Sequence, residues 1–199
     1  MTRRASMMTV FVALAVALVG PAQAQEPAGP ASDPQATMDA WARAMTPGPQ
    51  HAALAKMVGE FKLTVKSYME PGAEPMVSTV SASRKMIMGG RYLEETVQGS
   101  FMDQPFEGRG LTGYDNLTGR WWGMWVDSMS TALMTSWGEW DEASGVGTFW
   151  GEFTDPVTGE LQKSRSVMTR LDGGNELMES FIVTPQGETK SMEILYERQ

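Results

Sequence analysis

Cysteine is absent from the 199 residues, and histidine occurs once, as His51. The first absence removes disulfide staples, thiol nucleophiles and thiolate metal sites together, while remaining compatible with an oxidising compartment. The second leaves a Ser-His-Asp or Cys-His hydrolase with a single candidate base, placed ahead of the segments that read as strands. Zinc, iron and haem sites that draw on His or Cys are disfavoured for the same reason, so no metal or cofactor is expected. Basic residues are also few: 16 Lys and Arg stand against 24 Asp and Glu, a formal net charge of −8. An acidic surface repels phosphate backbones and anionic membranes, so nucleic acid is not an expected partner.

Long apolar runs are scarce as well. The one candidate, Met7 to Val19, follows Arg3 and Arg4 and precedes Ala22-Gln23-Ala24, which is the basic, apolar and small-residue order of a secretory signal. It stops at Gly20-Pro21, short of the about 20 residues that a membrane-spanning helix needs. The expectation is a signal peptide over 1–24, cleavage before Gln25, and a periplasmic or secreted protein with no membrane span after cleavage. Loss of Arg3 and Arg4 then leaves 14 Lys and Arg against 24 Asp and Glu. Residues 25–35, rich in Pro, Ala, Gly and Gln, read as a flexible lead-in, and 36–199 as one domain.

Helical spacing comes first along the chain. Met38, Trp41, Ala42 and Met45 recur at i, i+3, i+4 and i+7, with Asp33-Pro34 as cap and first-turn proline. Thr46-Pro47-Gly48-Pro49 breaks this helix, and a second short one is predicted from Pro49 to Val58. From Phe61 the period changes to two: Phe61, Leu63 and Val65 alternate with Lys62, Thr64 and Lys66. Similar runs follow, separated by turn signals such as Gly89-Gly90, Asp155 to Gly159 and Asp172-Gly173-Gly174. About ten short strands with no helix between them predict an all-β fold of antiparallel hairpins, in a sandwich or an up-and-down barrel. The helices would plug or cover one end.

The last hairpins can be registered. A three-residue loop at Asp172-Gly173-Gly174 pairs Leu171 with Asn175 and Val167 with Glu179. One face then carries Val167, Leu171, Leu177, Phe181 and Val183, which predicts that this face points inward and takes Arg165 and Glu179 with it. A turn at Gln186-Gly187 adds Met192, Ile194 and Tyr196 to the same interior.

Specific residues also suggest a family. PGAEPM at 71–76, GGRYLEE at 89–95, FEGRGLTGYDN at 106–116, WVDSMST at 125–131, DPVTG at 155–159 and MEILYER at 192–198 together resemble the bacterial domain-of-unknown-function family 1579. The likeness runs in order from about Thr46 to the C-terminus. It implies a lipocalin-like antiparallel β-barrel, no assigned activity and no catalytic residues.

Three further signals have plain structural readings. Glu139, Asp141 and Glu142 form an acidic turn without the spacing of a calcium loop. Gly108, Gly110 and Gly113 match GxGxxG but lie between strands, where a dinucleotide site needs a helix. His51 reads as a surface or capping residue. The dense tryptophans Trp121, Trp122, Trp125, Trp137, Trp140 and Trp150 suit either a pocket wall or a core, and Trp121 and Trp125 alternate onto one face with Asp127. The inward polar set is thus Asp127, Arg165, Glu179 and Tyr196, joined by Arg91 and Glu94 after the Gly89-Gly90 kink. With Trp121 and Trp125 these are the candidate ligand-binding residues; no catalytic residue is assigned. The leading expectation is a barrel that binds a small apolar or amphipathic molecule, Arg165 meeting a ligand carboxylate. The alternatives are an enzyme using Tyr, carboxylate and Arg chemistry in the same cavity, or a filled barrel that acts as an envelope interaction protein.

Overall fold

Asp33 accepts a hydrogen bond from the Gln35 N–H at 2.9 Å, and Pro34 opens helix α1 (Pro34–Met45) at the position where its missing N–H is no loss. The computed structural model describes residues 33–70 and 72–199; the signal peptide reading and most of the lead-in lie outside them. Helix α1 is joined through Thr46-Pro47-Gly48 to α2 (Pro49–Ala55). Ten strands follow: β1 (Gly59–Ser67), β2 (Met76–Ile87), β3 (Tyr92–Phe101), β4 (Gln104–Asp115), β5 (Arg120–Asp127), β6 (Met134–Asp141), β7 (Val146–Thr154), β8 (Leu161–Arg170), β9 (Glu176–Thr184) and β10 (Gly187–Arg198). Each pairs antiparallel with the next, and β1 also pairs with β10, so the sheet closes and has no free edge.

The chain order gives the barrel two unlike ends. Helix α2 and the connections at 88–91, 116–119, 142–145 and 171–175 lie at one end; 102–103, 128–133, 155–160 and 185–186 lie at the other, which carries no helix among the described residues. At the helical end Ala53 and Leu54 bury against Leu93 and Trp121. Full burial of Leu54 contributes about 1.5–3 kcal/mol. The Gly48 N–H donates to His51 Nδ1 at 3.0 Å and so closes the first turn of α2. Burial, with Arg91 adding, holds the His51 imidazole below its ordinary pKa against an opposing backbone hydrogen bond at Tyr114. Lys56 reaches Glu142 at 2.5 Å, and that contact, followed by Arg170, holds the Glu142 carboxyl down at about 2.

Only one of the two helices covers the barrel. Met38, Trp41 and Met45 are exposed, and no residue of α1 is buried. The Pro47-Gly48 turn leads α1 away from the rim, and it is held by its C-terminal carbonyls: Asn116 donates to Arg43 and Thr46, and Arg91 to Met45. Helix α2 ends at Ala55, three residues before the expected Val58, where Lys56 and Met57 turn the chain into β1.

The predicted hairpin register is present, with Val167 opposite Glu179 and Leu171 bonded to Asn175. The face is the reverse of the expectation. Met168, Met178 and Met192 pack on the core, and Glu176 and Ser180 are buried, so the even-numbered positions of β8 and β9 point inward. A β-bulge in β10 sets the relation to the last strand: Lys190 lies opposite Phe181 but Met192 opposite Ser180, so with Ser191 as the extra residue the inward Met192, Ile194 and Tyr196 share their side with the even-numbered positions of β9.

Candidate functional site

Alternation along β2, β3, β9 and β10 brings Arg84, Glu95, Glu176 and Tyr196 together inside the barrel. Arg84 shares its face with Val80 and Ala82, Glu95 with Leu93 and Val97, and Tyr196 with Ile194. Arg84 Nε donates to Glu95 Oε2 at 2.9 Å and its Nη1 to Glu176 Oε2 at 2.5 Å. The rings of Phe61 and Tyr196 flank the guanidinium, with centroids 4.9 and 4.3 Å from Cζ. Burial opposes the Arg84 charge, but Glu95, Tyr196 and Glu176 outweigh it and raise its pKa above the ordinary value. The Tyr196 phenol is pushed up by burial first and by the Glu95 carboxylate second.

Exposure grades the cluster. The Arg84 and Glu176 side chains keep 2% and 3% of their surface, whereas Glu95 keeps 15%. Glu95 is therefore the edge of the cluster that reaches open space. Its Oε1 receives the Tyr196 hydroxyl at 3.4 Å, beyond the 2.5–3.0 Å range of a strong O–H···O bond.

The bore is only partly filled. Among the described residues eleven apolar side chains are buried, a small core for ten strands. Trp125, Phe149, Met168, Met178 and Met192 face inward yet are only half-buried. An inward side chain that keeps surface faces either unfilled bore or an open barrel mouth, and Met192 and Trp125 lie well away from the helical mouth. Small residues help to leave that space: Ser136, Ser164, Ser166 and Ser180 all take inward positions, with Ser166 and Ser180 bonded to each other at 2.9 Å. A cleft of about 580 Å³ opens at the helical mouth of the bore, between α2 and the β5–β6 rim, lined by Ala53 and by the inward Tyr114, Trp121 and Trp140 among others.

The expected site residues divide. Trp121, Trp125, Asp127 and Tyr196 do take inward positions. Trp121 is buried under α2, while Trp125 donates its indole N–H to Asp127 Oδ2 at 2.7 Å near the helix-free end. Arg165 and Glu179 point outward, because β8 and β9 run in the opposite phase. Arg165 is held by both oxygens of Glu188 and stacks on Phe181, and Glu179 pairs with Lys190. Neither meets a ligand inside the bore, and they do not pair with each other. Glu94 also faces out, bound to Lys85 at 3.0 Å, and Arg91 serves the helix connection rather than the interior. Glycines 108 and 110 lie in β4 under the Trp125 ring, where a Cβ would collide or crowd with it, and form no nucleotide loop. Asp141 caps the β6–β7 turn through the Ala143 N–H and the Ser144 hydroxyl. The tryptophans split by alternation: Trp121, Trp125 and Trp140 face in, whereas Trp122, Trp137 and Trp150 form one outward cross-strand row. Arg84, Glu95 and Glu176 were missed. The phase of Leu93 and Val97 marks Glu95, not Glu94, as inward, and the same count on β2 marks Arg84.

Comparison with known proteins agrees with this architecture. The profile of a family described as "Protein of unknown function (DUF1579)" matches residues 46–198. Among solved structures, the crystal structure of Rv2717c from M. tuberculosis is similar, with a TM-score of 0.58 and 14% identity over 77% of this chain and 99% of that one. At that identity the likeness shows the fold alone. No curated protein matches the sequence.

Proposed function

The chain belongs to the DUF1579 family of proteins of unknown function, a membership that carries a barrel and no activity, and from its interior we propose that it binds a small apolar or amphipathic molecule. The site is the middle of the bore, walled by Trp125, Met168, Met178 and Met192 beside the Arg84 cluster. The observation that carries this reading is that Trp125, Met168, Met178 and Met192 face inward beside a buried cluster yet are themselves only half-buried. Flexible thioethers and a rigid indole suit a pocket that accepts more than one apolar shape. An enzyme is less well supported, since burial raises the pKa of the one phenol in the cluster away from the working range of a base. We also propose that the protein is exported, on the strength of the Arg3-Arg4, Met7–Val19 and Ala22-Gln23-Ala24 order; a mature N-terminus at or near Gln25 is expected on sequencing the product from its native host.

Nile red, a neutral dye that brightens in apolar surroundings, tests the binding reading. The full-length protein is expected to bind it saturably at one site, and Ser166→Phe with Ser180→Phe, which fills the bore, to abolish that binding while keeping the β-sheet circular dichroism signal. Absence of saturable binding, or equal binding by the filled variant, would overturn the reading.

A further inference from the structure

Cations are few on the inner face of the barrel strands, and each is already held. Of the described Lys, Arg and His residues, three take inward strand positions: Arg84, Arg170 and Arg198. The last two belong to the helical end, where Arg170 meets Glu142 and Arg198 donates to the Val58 and Lys56 carbonyls. The others on strands, including Lys62, Lys66, Arg109, Lys163, Arg165 and Lys190, alternate outward. Arg84 itself is occupied by two carboxylates and two aromatic rings, and one guanidinium against Glu95 and Glu176 leaves negative charge in excess.

The carboxylates are placed differently. Glu95 and Trp125 flank the same glycine: a Cβ added to Gly110 would lie 3.6 Å from Glu95 Cβ and 3.3 Å from Trp125 Cε3. Asp127 holds the far edge of that indole through its N–H. One face of the Trp125 ring covers Gly108 and Gly110, and the ring stands between two carboxylates at the border of the open space. A carboxylate beside an aromatic face is the arrangement that favours an ammonium group, by charge attraction and by cation–π contact. A ligand carboxylate placed there would be desolvated opposite like charge with no free cation to receive it.

We infer that this pocket selects amphipathic molecules whose polar head is an amine, received by Glu95 against the Trp125 ring, and that it rejects carboxylates such as fatty acids. This rests on the proposed binding reading, and it reverses the expectation that an arginine meets a ligand acid. The test uses three probes with one tail, nonylammonium, nonanol and nonanoate at pH 7.4, each displacing Nile red from the full-length protein. Nonylammonium is expected to bind at least tenfold tighter than nonanoate, with nonanol between them. Glu95→Gln should reduce the preference for nonylammonium over nonanoate severalfold. Asp127→Asn, at the rim and apart from the buried cluster, gives a smaller shift in the same direction if the first variant fails to fold. Equal affinities for the three probes, or a preference for nonanoate, would overturn the inference and leave the binding reading standing. No displacement by any probe, together with no dye binding, would overturn the binding reading itself.

Discussion

Replacing Arg84 by methionine keeps most of the side-chain volume and deletes the one cation between Glu95 and Glu176. Both carboxylates are then left in the barrel interior, one of them 3% exposed, with no counter-charge. Breaking a buried pair in this way costs about 3–5 kcal/mol, because the remaining charge is desolvated without compensation. For a domain of this size each kcal/mol lowers the melting temperature by about 2–4 °C, so a fall of about 6–20 °C is expected at pH 7. The sign of the pH dependence is a second signature. In the variant an unpaired buried carboxyl has its folded pKa raised above the unfolded value, so the penalty is present at high pH and is relieved as pH falls through that raised value. Thermal melts at pH 7.5 and pH 5 should show the gap to wild type narrowing on acidification. The triple variant Arg84→Met, Glu95→Gln, Glu176→Gln, in which no charge remains, should recover much of the loss. A loss under about 1 kcal/mol for Arg84→Met, typical of an ordinary surface change, or a triple variant no more stable than the single one, would refute the claim that this cluster is a buried, mutually dependent unit.

Other outcomes follow from the same geometry. Arg165→Met should change stability by only about 0–1 kcal/mol, and the effect should fade in high salt, because the Arg165–Glu188 pair lies on the outer face; denaturant titrations at two ionic strengths check it. His51 is neutral in the fold with a depressed pKa, so its contribution is present above the ordinary value of 6.5 and is lost as pH falls through the lower folded value. His51→Gln should therefore flatten the stability profile on the acid side of pH 6.5. Gly138→Ala should cost about 1–3 kcal/mol by overpacking, since its Cβ would lie 2.7 Å from Phe149 Cδ1 with the Thr148 carbonyl closer still.

Much of the fold is written locally. The Asp33 cap, the Thr46 to Pro49 break and the period-two runs from Phe61 each depend on near neighbours, and all ten strands and the Leu171–Asn175 hairpin can be read from them. Facing is different. On β8 and β9 the outward set Val167, Leu177, Phe181 and Val183 is more apolar than the inward set Ser166, Arg170, Glu176 and Ser180, so hydrophobicity favours the wrong side. The outward apolar residues are covered by long charged neighbours, Arg165 and Lys190 over Phe181. The inward polar ones are satisfied across the barrel by residues remote in sequence, Arg84 with Glu176 being 92 positions apart. A single bulge residue, Ser191, then reverses the phase carried back from Met192, Ile194 and Tyr196, and nothing in the local composition marks it. Tyr196, Trp121, Trp125 and Asp127 were legible because the apolar alternation on their own strands is unambiguous.

Methionine methyl groups sample both sides of the barrel wall, which makes them the most direct reporters of where a ligand goes. Met168, Met178 and Met192 face the open bore, while Met38, Met69, Met88 and Met102 are exposed outside it. In protein labelled at the methionine methyl carbon, titration with nonylammonium followed by two-dimensional NMR should move the resonances of Met168, Met178 and Met192 along one saturating curve and leave the four exposed methyls in place. Shifts at the exposed methyls with the three inner ones unmoved would contradict a ligand site inside the barrel.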